Sequence, residues 1–420
     1  MPKEQKEKGA RMKFLAYAHE TFEDSFVREL IKLINIKDAC VNTSCVEFEI
    51  NEHIKDKISE LILYSRTMRR VMILLDKTEF KEFEDLKKHY ENYFYKRDLN
   101  EEFNKIFDDC EFKLADNKIK TFCSRTQKHN NSDFNSMDLD AKIGEYIIEN
   151  NKELKVNLEN PDLTIFNLII DNTVYFGIDL IGKDLSKRDY KVFTLPFSMK
   201  SSLVYAIMLK YIDDDFLKEI NKKLVVNYGM SDGAFLIELA QYISKISPLK
   251  HSYREITLNK YMNLEKEFDA EKEPIYKIFG LDNNFNTTNF VKKNLALSDV
   301  KNIVQLSRLD LTWLDTKYEK KTIDLFFTFF ISRSIVSSKE IEKYYNDLFY
   351  QLEFVLKGRA IILTSKPNIF MDIIKSEKYK LEFYEQHNFL VGNNSYSVIV
   401  LDAIKAENKK INYNKSLRLK

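Results

Sequence analysis

Glycine and proline are scarce in this chain, which contains 9 and 6 of them in 420 residues. Average usage would supply about 7% glycine and 5% proline. Because glycine is the residue that adopts a positive φ without strain, such a chain can build few left-handed turns or close backbone approaches. Each glycine that remains in a predicted turn is therefore a candidate for a special role.

Long hydrophobic runs and an excess of one charge are also missing. No run of 18 or more apolar residues occurs, and the opening MPKEQKEKGARMK lacks the apolar core of a signal peptide. These absences predict a cytosolic protein without a membrane span. The formal net charge of +1 excludes a uniformly basic polyanion binder, although it allows a local basic face. The length predicts two to four domains.

Cysteine is the third scarce residue, with four in the chain. Neither the pair Cys40 and Cys45 nor the pair Cys110 and Cys123 has the two-residue gap that is typical of zinc knuckles. We therefore expect reduced thiols in the core and no metal site.

The first half of the sequence alternates short strands and helices. The predicted order is β-α-β-α-β at spacings too short for a Rossmann sheet, which favours a ferredoxin-like α+β module. A helix capped by Asn135 or Ser136 and a β-hairpin follow further along. The predicted elements are strands at 14–18, 45–50 and 70–75, helices at about 21–34 and 54–64, a strand at 119–124, and a hairpin from 163–170 and 173–180.

The second half has a different pattern, which starts after a polar, basic stretch at 183–202 that contains Pro196. Strands there alternate with longer helical segments, and this predicts a doubly wound α/β sheet whose last pair of strands could be antiparallel. The predicted strands are 224–226, 276–281, 302–306, 323–330, 360–365 and 396–402, and the predicted helices are 233–246, 287–298, 339–356 and 367–377.

One segment of this half, LVVNYGMSDGAFLIELA at 224–240, resembles the place where nucleotide-like ligands bind in open α/β sheets. Gly229 and Gly233 lie in its turn, but they do not complete G-x-G-x-x-G, so an ordinary strand–turn–helix connection is an equally simple interpretation. Asp282 and Asp310 follow the next two strands, where carboxylates could hold ribose hydroxyls and a base amino group. These four residues are the candidate cofactor-binding set.

Basic side chains form clusters although the chain is neutral as a whole. Such clusters could contact phosphates, with Tyr190 and Phe193 as stacking partners, or could simply be solvated surface. The clusters are Arg66, Arg69 and Arg70; Arg125, Lys128 and His129; and Lys183, Lys187, Arg188, Lys191 and Lys200.

Several of these segments together resemble a known family. NSMDLDAKIGEYI, NPDLTIFNLIIDNTVYFGIDLIGKDLSKRDYKVF and LPFSMKSSL resemble a THUMP domain and its linker. The sheet behind them resembles the Rossmann-fold domain of archaeal and bacterial tRNA guanine-N2 methyltransferases. The resemblance covers about residues 12–402, and the family order Arg-x-Tyr then Pro-x-x-x-Lys recurs at Arg188, Tyr190, Pro196 and Lys200.

The resemblance implies a domain order, a cofactor and a partner. The cofactor would be S-adenosylmethionine and the partner tRNA, gripped by the N-terminal parts. The candidate RNA contacts in the THUMP domain and the linker are Arg125, Lys128, Lys187, Arg188, Tyr190 and Lys200. The implied domains are a ferredoxin-like module at 12–80, a THUMP domain at 81–185, a linker at 186–202, a Rossmann-type methyltransferase domain at 203–405 and a basic tail at 406–420.

Two departures from the family pattern affect the expected chemistry. The family's D-P-x-C-G-S-G-T is replaced by Asn227–Ala234, where Ser231 replaces a glycine and Asp232 would repel the cofactor's carboxylate. The family's N-P-P-Y, which binds the exocyclic amine and stacks on the base, is replaced by Phe329, Phe330, Ile331 and Ser332. For Phe329 and Phe330, a longer strand that runs into the core is the simpler interpretation.

The sequence therefore predicts a tRNA-binding member of this family whose methyl transfer to a guanine amine is weakened or lost. The alternative is a non-catalytic RNA-binding or assembly factor that keeps the sheet as a scaffold. A small-molecule methyltransferase is disfavoured, because it would leave the first 185 residues without a function.

Overall fold

The structure is a computed structural model that describes residues 11–113, 118–129, 133–262, 264, 276–330, 337–376 and 378–404. The predicted basic tail at 406–420 lies outside these residues, as do Ile331 and Ser332. The chain forms two compact units: Met1–Leu185 with Leu249–Glu267, and Ser186–Pro248 with Phe268–Lys420. Within the described ranges, no helix combines the length and the apolar character that a bilayer crossing requires.

The first unit contains one eight-stranded sheet in the order β2-β3-β1-β4-β8-β7-β5-β6. The first four strands and two helices form a βαββαβ unit of ferredoxin-like order. The elements are β1 (Met12–Tyr17), α1 (Glu23–Ile34), β2 (Ala39–Asn42), β3 (Cys45–Ile50), α2 (Ile54–Tyr64), β4 (Arg70–Glu79), α3 (Phe83–Phe94), α4 (Leu99–Asp109), β5 (Thr121–His129), α5 (Ser136–Asn150), β6 (Lys155–Val156), β7 (Leu163–Ile170) and β8 (Thr173–Asp179).

The predicted capped helix and hairpin are both confirmed in this unit. Asn135 caps α5 by accepting a hydrogen bond from the Met137 N–H at 3.1 Å, and the apolar face of α5 is buried. β7 and β8 pair antiparallel across the short turn at Asp171 and Asn172. Strand β8 also joins the two halves of the sheet by pairing with β4. Gly177 is required there, because a β-carbon would lie 1.9 Å from the Ile73 carbonyl oxygen.

A later segment of the chain completes the first unit. Leu249–Glu267 belongs to this unit although Ser186–Pro248, which precedes it in the chain, belongs to the second unit. The Thr257 and Leu258 N–H groups donate to the carbonyl oxygens of Ile181 and Leu180 at 3.1 and 2.9 Å. The hydroxyl of the buried Tyr261 donates to the Asp162 carbonyl oxygen at 2.6 Å. The first unit is therefore not a continuous stretch of sequence.

The second unit contains a seven-stranded sheet in the order β11-β10-β9-β12-β13-β15-β14. Strands β9 to β13 are parallel, and β15 is antiparallel to β13, so the predicted doubly wound sheet with an antiparallel end is confirmed. The elements are α6 (Ser201–Tyr211), α7 (Asp214–Lys218), β9 (Leu224–Tyr228), α8 (Ala234–Ile243), β10 (Lys277–Asp282), α9 (Phe285–Leu297), β11 (Val304–Arg308), α10 (Leu314–Lys317), β12 (Ile323–Phe330), α11 (Ser338–Val355), β13 (Leu356–Thr364), α12 (Pro367–Lys375), β14 (Leu381–Val391) and β15 (Asn394–Ala403).

The strand order places the candidate site. β9 pairs with β10 on one side and with β12 on the other, so the direction of winding reverses at β9. Ligands of open α/β sheets bind at the carboxyl ends of the strands at such a point. The turn after β9 and the last residues of β12 therefore lie where a ligand is expected.

Candidate functional site

The turn between β9 and α8 adopts an unusual backbone conformation. Gly229, Ser231 and Gly233 have φ values of +66°, +55° and +85°. A β-carbon at Gly233 would lie 2.8 Å from a methyl group of Val291, and one at Gly229 would lie 3.3 Å from the Phe329 carbonyl oxygen. Glycine is thus favoured at both predicted positions, and Ser231 adopts the left-handed conformation although it has a side chain.

A cleft opens beside this turn. Gly229 lines it, together with residues from the linker and from β12. Of the other predicted cofactor residues, Gly233, Asp282 and Asp310 are not among the described residues that form its wall. The lining residues are Met199, Val204, Asn227, Gly229, Met230, Ser231, Asp232, Ala234, Phe235, Phe327, Phe329 and Leu363.

Asp282 holds the turn from the neighbouring strand. Its Oδ2 accepts from the Met230 N–H at 3.2 Å, and its Oδ1 accepts from the Asn284 N–H at 2.8 Å. The side chain is buried, and this burial raises the pKa of Asp282 even though the two hydrogen bonds lower it. Asp282 therefore supports the ligand-facing turn from behind.

Asp310 is exposed at the end of β11. Its Oδ1 accepts from the hydroxyl and the N–H of Thr312 at 2.8 and 3.0 Å, and these bonds lower the pKa of Asp310. The carboxylate thus caps the short 3-10 turn that follows the strand. Its contact with a ligand stays a prediction.

Asp232 is not an isolated negative charge, contrary to our expectation of electrostatic repulsion. Lys191 Nζ lies 2.7 Å from Asp232 Oδ2, and both side chains are largely buried. Asp232 Oδ1 accepts from the Ala234 N–H at 3.2 Å at the start of α8. Asn294 Nδ2 donates to the carbonyl oxygens of Asp232 and Phe193, so the linker is tied to the turn. Lys191 therefore neutralises the charge of Asp232, which we had expected to be unfavourable beside the cofactor's carboxylate.

The Arg-x-Tyr motif of the linker forms a second buried network. Arg188 Nε and the Tyr190 hydroxyl both donate to Glu238 Oε1 at 2.9 Å, and the Arg188 and Glu238 side chains are completely buried. Burial and the negative charge of Glu238 raise the pKa of Tyr190. Arg188 and Tyr190 were predicted to contact RNA, but they are inside the unit and bound to Glu238. Their burial leaves no accessible surface for a phosphate.

The other predicted RNA contacts are nearer the surface. Arg125, Lys187 and Lys200 are exposed. Lys128 is half-buried, with its ammonium bonded to the Phe134 carbonyl oxygen and 4.8 Å from the centre of the Phe134 ring. RNA contact by these four residues stays a prediction.

The cluster Arg66, Arg69 and Arg70 is mostly structural. Arg69 pairs with Asp184 at 2.5 Å, Arg70 pairs with the buried Asp179, and Arg66 is buried. These three arginines are therefore paired or buried, and they add less basic surface to the first unit than the sequence predicts.

The end of β12 is apolar. Phe329 and Phe330 are the last residues of the strand, as predicted. Phe330 stacks on Tyr344 with ring centres 4.3 Å apart, which fits the predicted packing into the core. Phe329 instead lines the cleft, at the position where the resembled family has the asparagine of N-P-P-Y.

Two polar atoms in the cleft were missed by sequence reasoning. Asn227 is 1% exposed, and its Nδ2 donates to the Phe327 carbonyl oxygen at 3.0 Å. Among the described residues, neither Asn227 Oδ1 nor Ser231 Oγ has a hydrogen-bond partner, although both atoms are buried. The signal that could have found them is that both residues depart from the family pattern.

Comparison with known proteins places both units. The THUMP domain model matches residues 96–179, and the RMKL-like methyltransferase domain model matches residues 231–394. A tRNA (guanine(6)-N2)-methyltransferase of Methanocaldococcus jannaschii is 26% identical over 85% of this chain and 91% of its own length. An enzyme of the same name from Archaeoglobus fulgidus is 23% identical over 63% of this chain and 62% of its own length.

Solved structures agree with this placement. SMU.472, solved in complex with SAH, has a TM-score of 0.71 at 15% identity and matches over 94% of this chain and 99% of its own. TrmN from Thermus thermophilus has a TM-score of 0.64 at 14% identity, over 94% and 100% of the two chains. Both similarities show the same fold. The chain thus matches a THUMP domain model and, further along, an RMKL-like methyltransferase domain model, in the order that the sequence resemblance predicted.

Proposed function

We propose that this protein binds tRNA and S-adenosylmethionine, and that its methyl transfer to a guanine exocyclic amine is weakened or lost. The observation that carries the proposal is the contrast within one cleft: its turn keeps a positive φ at Gly229, Ser231 and Gly233, while the β12 position of the amine-binding asparagine is taken by Phe329. The names of the archaeal relatives support tRNA and the guanine amine as partner and target.

The residues around the turn fit a nucleotide-type cofactor. Gly229 lines the cleft without a side chain, so a ligand could approach its backbone closely, and Gly233 lets the start of α8 pack against Val291. Asp282 fixes the N–H of Met230, and Asp310 places an exposed carboxylate at the adjacent strand end. S-adenosylmethionine would supply an electrophilic methyl group bound to a sulfonium sulfur.

Loss of the amine acceptor explains why transfer should be weak. An aromatic amine must be oriented, and its N–H bonds must be polarised, before its nitrogen can form a bond to the methyl carbon. In that transfer the bond from carbon to the sulfonium sulfur would break, the sulfur would leave as a neutral thioether, and the amine would release a proton. A phenylalanine ring accepts no conventional hydrogen bond from an N–H group. Phe329 could therefore contact a base but could not replace the missing asparagine.

The exposed basic residues support RNA binding. Arg125 lies on β5 in the THUMP domain, and Lys187 and Lys200 lie in the linker. Phosphate contacts of this kind produce affinity that falls steeply with salt and that does not require catalysis. tRNA binding is therefore expected whether or not methyl transfer survives.

The test combines calorimetry with SAH, tRNA binding at two salt concentrations, and methyl transfer from labelled S-adenosylmethionine. The full chain is required, because a fragment that ends near residue 200 would lack the 249–267 segment of the first unit. We expect binding of both ligands and little transfer. No tRNA binding at moderate salt would contradict the proposal, and so would efficient transfer.

The alternative function is a non-catalytic RNA-binding or assembly factor, which Phe329 in the cleft also favours. It predicts tRNA binding without any binding of SAH. The same calorimetric titration therefore separates the two functions.

A further inference from the structure

Lys191 joins the linker to the turn beside the cleft. Its ammonium group donates a hydrogen bond to the Met199 carbonyl oxygen, eight residues further along the linker, and lies 2.7 Å from Asp232 Oδ2. Met199 and Asp232 both line the cleft. One lysine side chain therefore holds two parts of the cleft wall, one from the linker and one from the turn.

Asn294 of α9 makes a second connection between the same two segments. Its Nδ2 donates to the carbonyl oxygens of Phe193 and Asp232 at 2.8 and 2.9 Å, and its Oδ1 accepts from the Phe193 N–H at 3.0 Å. Asn294 is completely buried, and burial strengthens such hydrogen bonds. A linker that moved away from the turn would lose this set of buried polar contacts, so the linker has one well-defined closed position.

The linker is packed less tightly between these attachments and Met199. Thr194 and Pro196 are exposed, and the other residues of 194–198 are half-buried. The position of this stretch therefore depends mainly on its two ends, which Lys191 connects.

The same linker carries the exposed lysines that are predicted to contact RNA. Lys187 precedes Lys191 by four residues, and Lys200 directly follows Met199. Phosphates bound to Lys187 and Lys200 would hold the linker from the solvent side, while Lys191 holds it from the side of the turn. RNA binding and the shape of the cleft wall thus depend on the position of one short segment.

The charge of Asp232 makes that position important for a ligand. With the linker closed, Lys191 neutralises Asp232, and both side chains are largely buried. Without Lys191, a bare carboxylate would remain in the cleft wall and would repel the carboxylate of the methyl donor. The closed linker therefore favours the donor. The family that this sequence resembles has an uncharged serine at the position of Asp232, so the dependence on Lys191 follows from a departure in this chain.

We propose that the Lys191–Asp232 pair couples RNA binding at the linker to binding of the methyl donor in the cleft. Lys191 acts as a positioning residue: RNA on Lys187 and Lys200 stabilises the closed linker, and the closed linker raises the affinity for the donor. The inference rests on the proposed function. Because coupling between two sites is reciprocal, the donor must raise the affinity for RNA by the same factor.

The test uses the full chain and measures the affinity for SAH by calorimetry at low salt, with and without a saturating tRNA transcript. The ratio of the two affinities is the coupling factor. The variants are Lys191→Met, Lys191→Arg, and a double variant that combines Lys191→Met with Asp232→Ser and so leaves no unpaired charge in the cleft wall. Lys218→Met, which breaks an ion pair with Asp215 at the surface of the same unit, is the matched control.

We expect tRNA to tighten SAH binding by the wild type about tenfold, which is within the usual range for coupled sites. Lys191→Arg and Lys218→Met should keep this factor. Lys191→Met should bind SAH more weakly than the wild type, whereas the double variant should bind it about as well as the wild type does without tRNA. In neither of these two should tRNA change the affinity. A purely structural role of Lys191 would leave the coupling factor of the double variant unchanged.

Two results would overturn the inference alone: tRNA leaves unchanged or weakens SAH binding by the wild type although each ligand binds, or the double variant keeps the wild-type coupling factor. A wild-type chain that fails to bind SAH, or fails to bind tRNA, would instead contradict the proposed function and remove the inference with it.

Discussion

The turn after β9 and the end of β12 line the same cleft, yet they differ in how they compensate for unusual residues. In the turn, the unexpected carboxylate of Asp232 is paired with Lys191, and the left-handed backbone is kept at Ser231. At the end of β12, Phe329 carries no polar atom in place of the asparagine it replaces. The backbone that shapes the cleft is maintained, whereas the chemistry at one of its walls has changed.

Under the proposed function, ligand binding and methyl transfer depend on different parts of this cleft. Binding depends on the shape of the turn, which glycines and buried ion pairs hold. Transfer depends in addition on one acceptor placed against the reacting nitrogen. Each of the following changes affects one side of this contrast.

The largest expected effect comes from the ion pair that anchors the linker. Arg188→Met removes the cation from a completely buried ion pair with Glu238, and breaking such a pair typically costs about 3–5 kcal/mol. Urea unfolding monitored by the fluorescence of Trp313, the single tryptophan of the chain, should show this loss in the second unit.

The matched control removes a pair of the same charge type from the surface. Lys218→Met breaks the contact with Asp215, whose side chain is 92% exposed, and it should leave the unfolding midpoint unchanged. Equal losses of unfolding free energy for Arg188→Met and Lys218→Met would mean that burial does not determine the cost of breaking an ion pair.

The second effect tests the compensation at Asp232. Lys191→Met should destabilise the second unit by about 2–3 kcal/mol. This loss is smaller than the one expected for Arg188→Met, because the Lys191 side chain is 11% exposed. Asp232→Ser restores the family residue, and the double variant should recover most of the loss because no unpaired charge remains. Additive losses in this double-mutant cycle would show that the two charges do not interact.

The third effect concerns Phe329 at the end of β12. Phe329→Asn returns an acceptor to the end of β12, and we expect methyl transfer to tRNA to rise about tenfold, which corresponds to about 1.4 kcal/mol. The measurement is single-turnover transfer at saturating S-adenosylmethionine. Phe330→Asn is the control, because Phe330 stacks on Tyr344 and should give no gain. A gain from both variants would point to loosening of the strand.

Much of the fold could be predicted from the sequence because local patterns determine it. The alternation in β7 and β8 and the cap at Asn135 are signals within a few residues. Strands β2 and β14 lack such signals: β2 has four residues, and β14 is an edge strand whose Glu382–Tyr384 stretch is exposed. Their pairing depends on neighbouring strands.

The candidate site was predicted in part, for a related reason. Gly229 and Gly233 mark a turn that sequence alone reveals. Arg188 and Tyr190 were interpreted as surface residues, because polarity does not show whether a partner such as Glu238, 50 residues away from Arg188, lies against them. The return of 249–267 to the first unit is equally a property of tertiary packing.

The smallest effect concerns the strain that the turn retains. Ser231 has a φ of +55°, a conformation that costs a residue with a side chain about 1–2 kcal/mol relative to glycine. Ser231→Gly restores the family residue, but it also gives the unfolded chain more freedom, so the net gain in unfolding free energy should be about 0.5–1 kcal/mol. Lys321→Gly, at a φ of +58° elsewhere in the same unit, is the control for backbone relief alone. Because Ser231 Oγ is also buried without a partner among the described residues, the gain at Ser231 should exceed the gain at Lys321. Equal gains would show that the hydroxyl already has a partner, such as bound water, and that the turn carries only backbone strain.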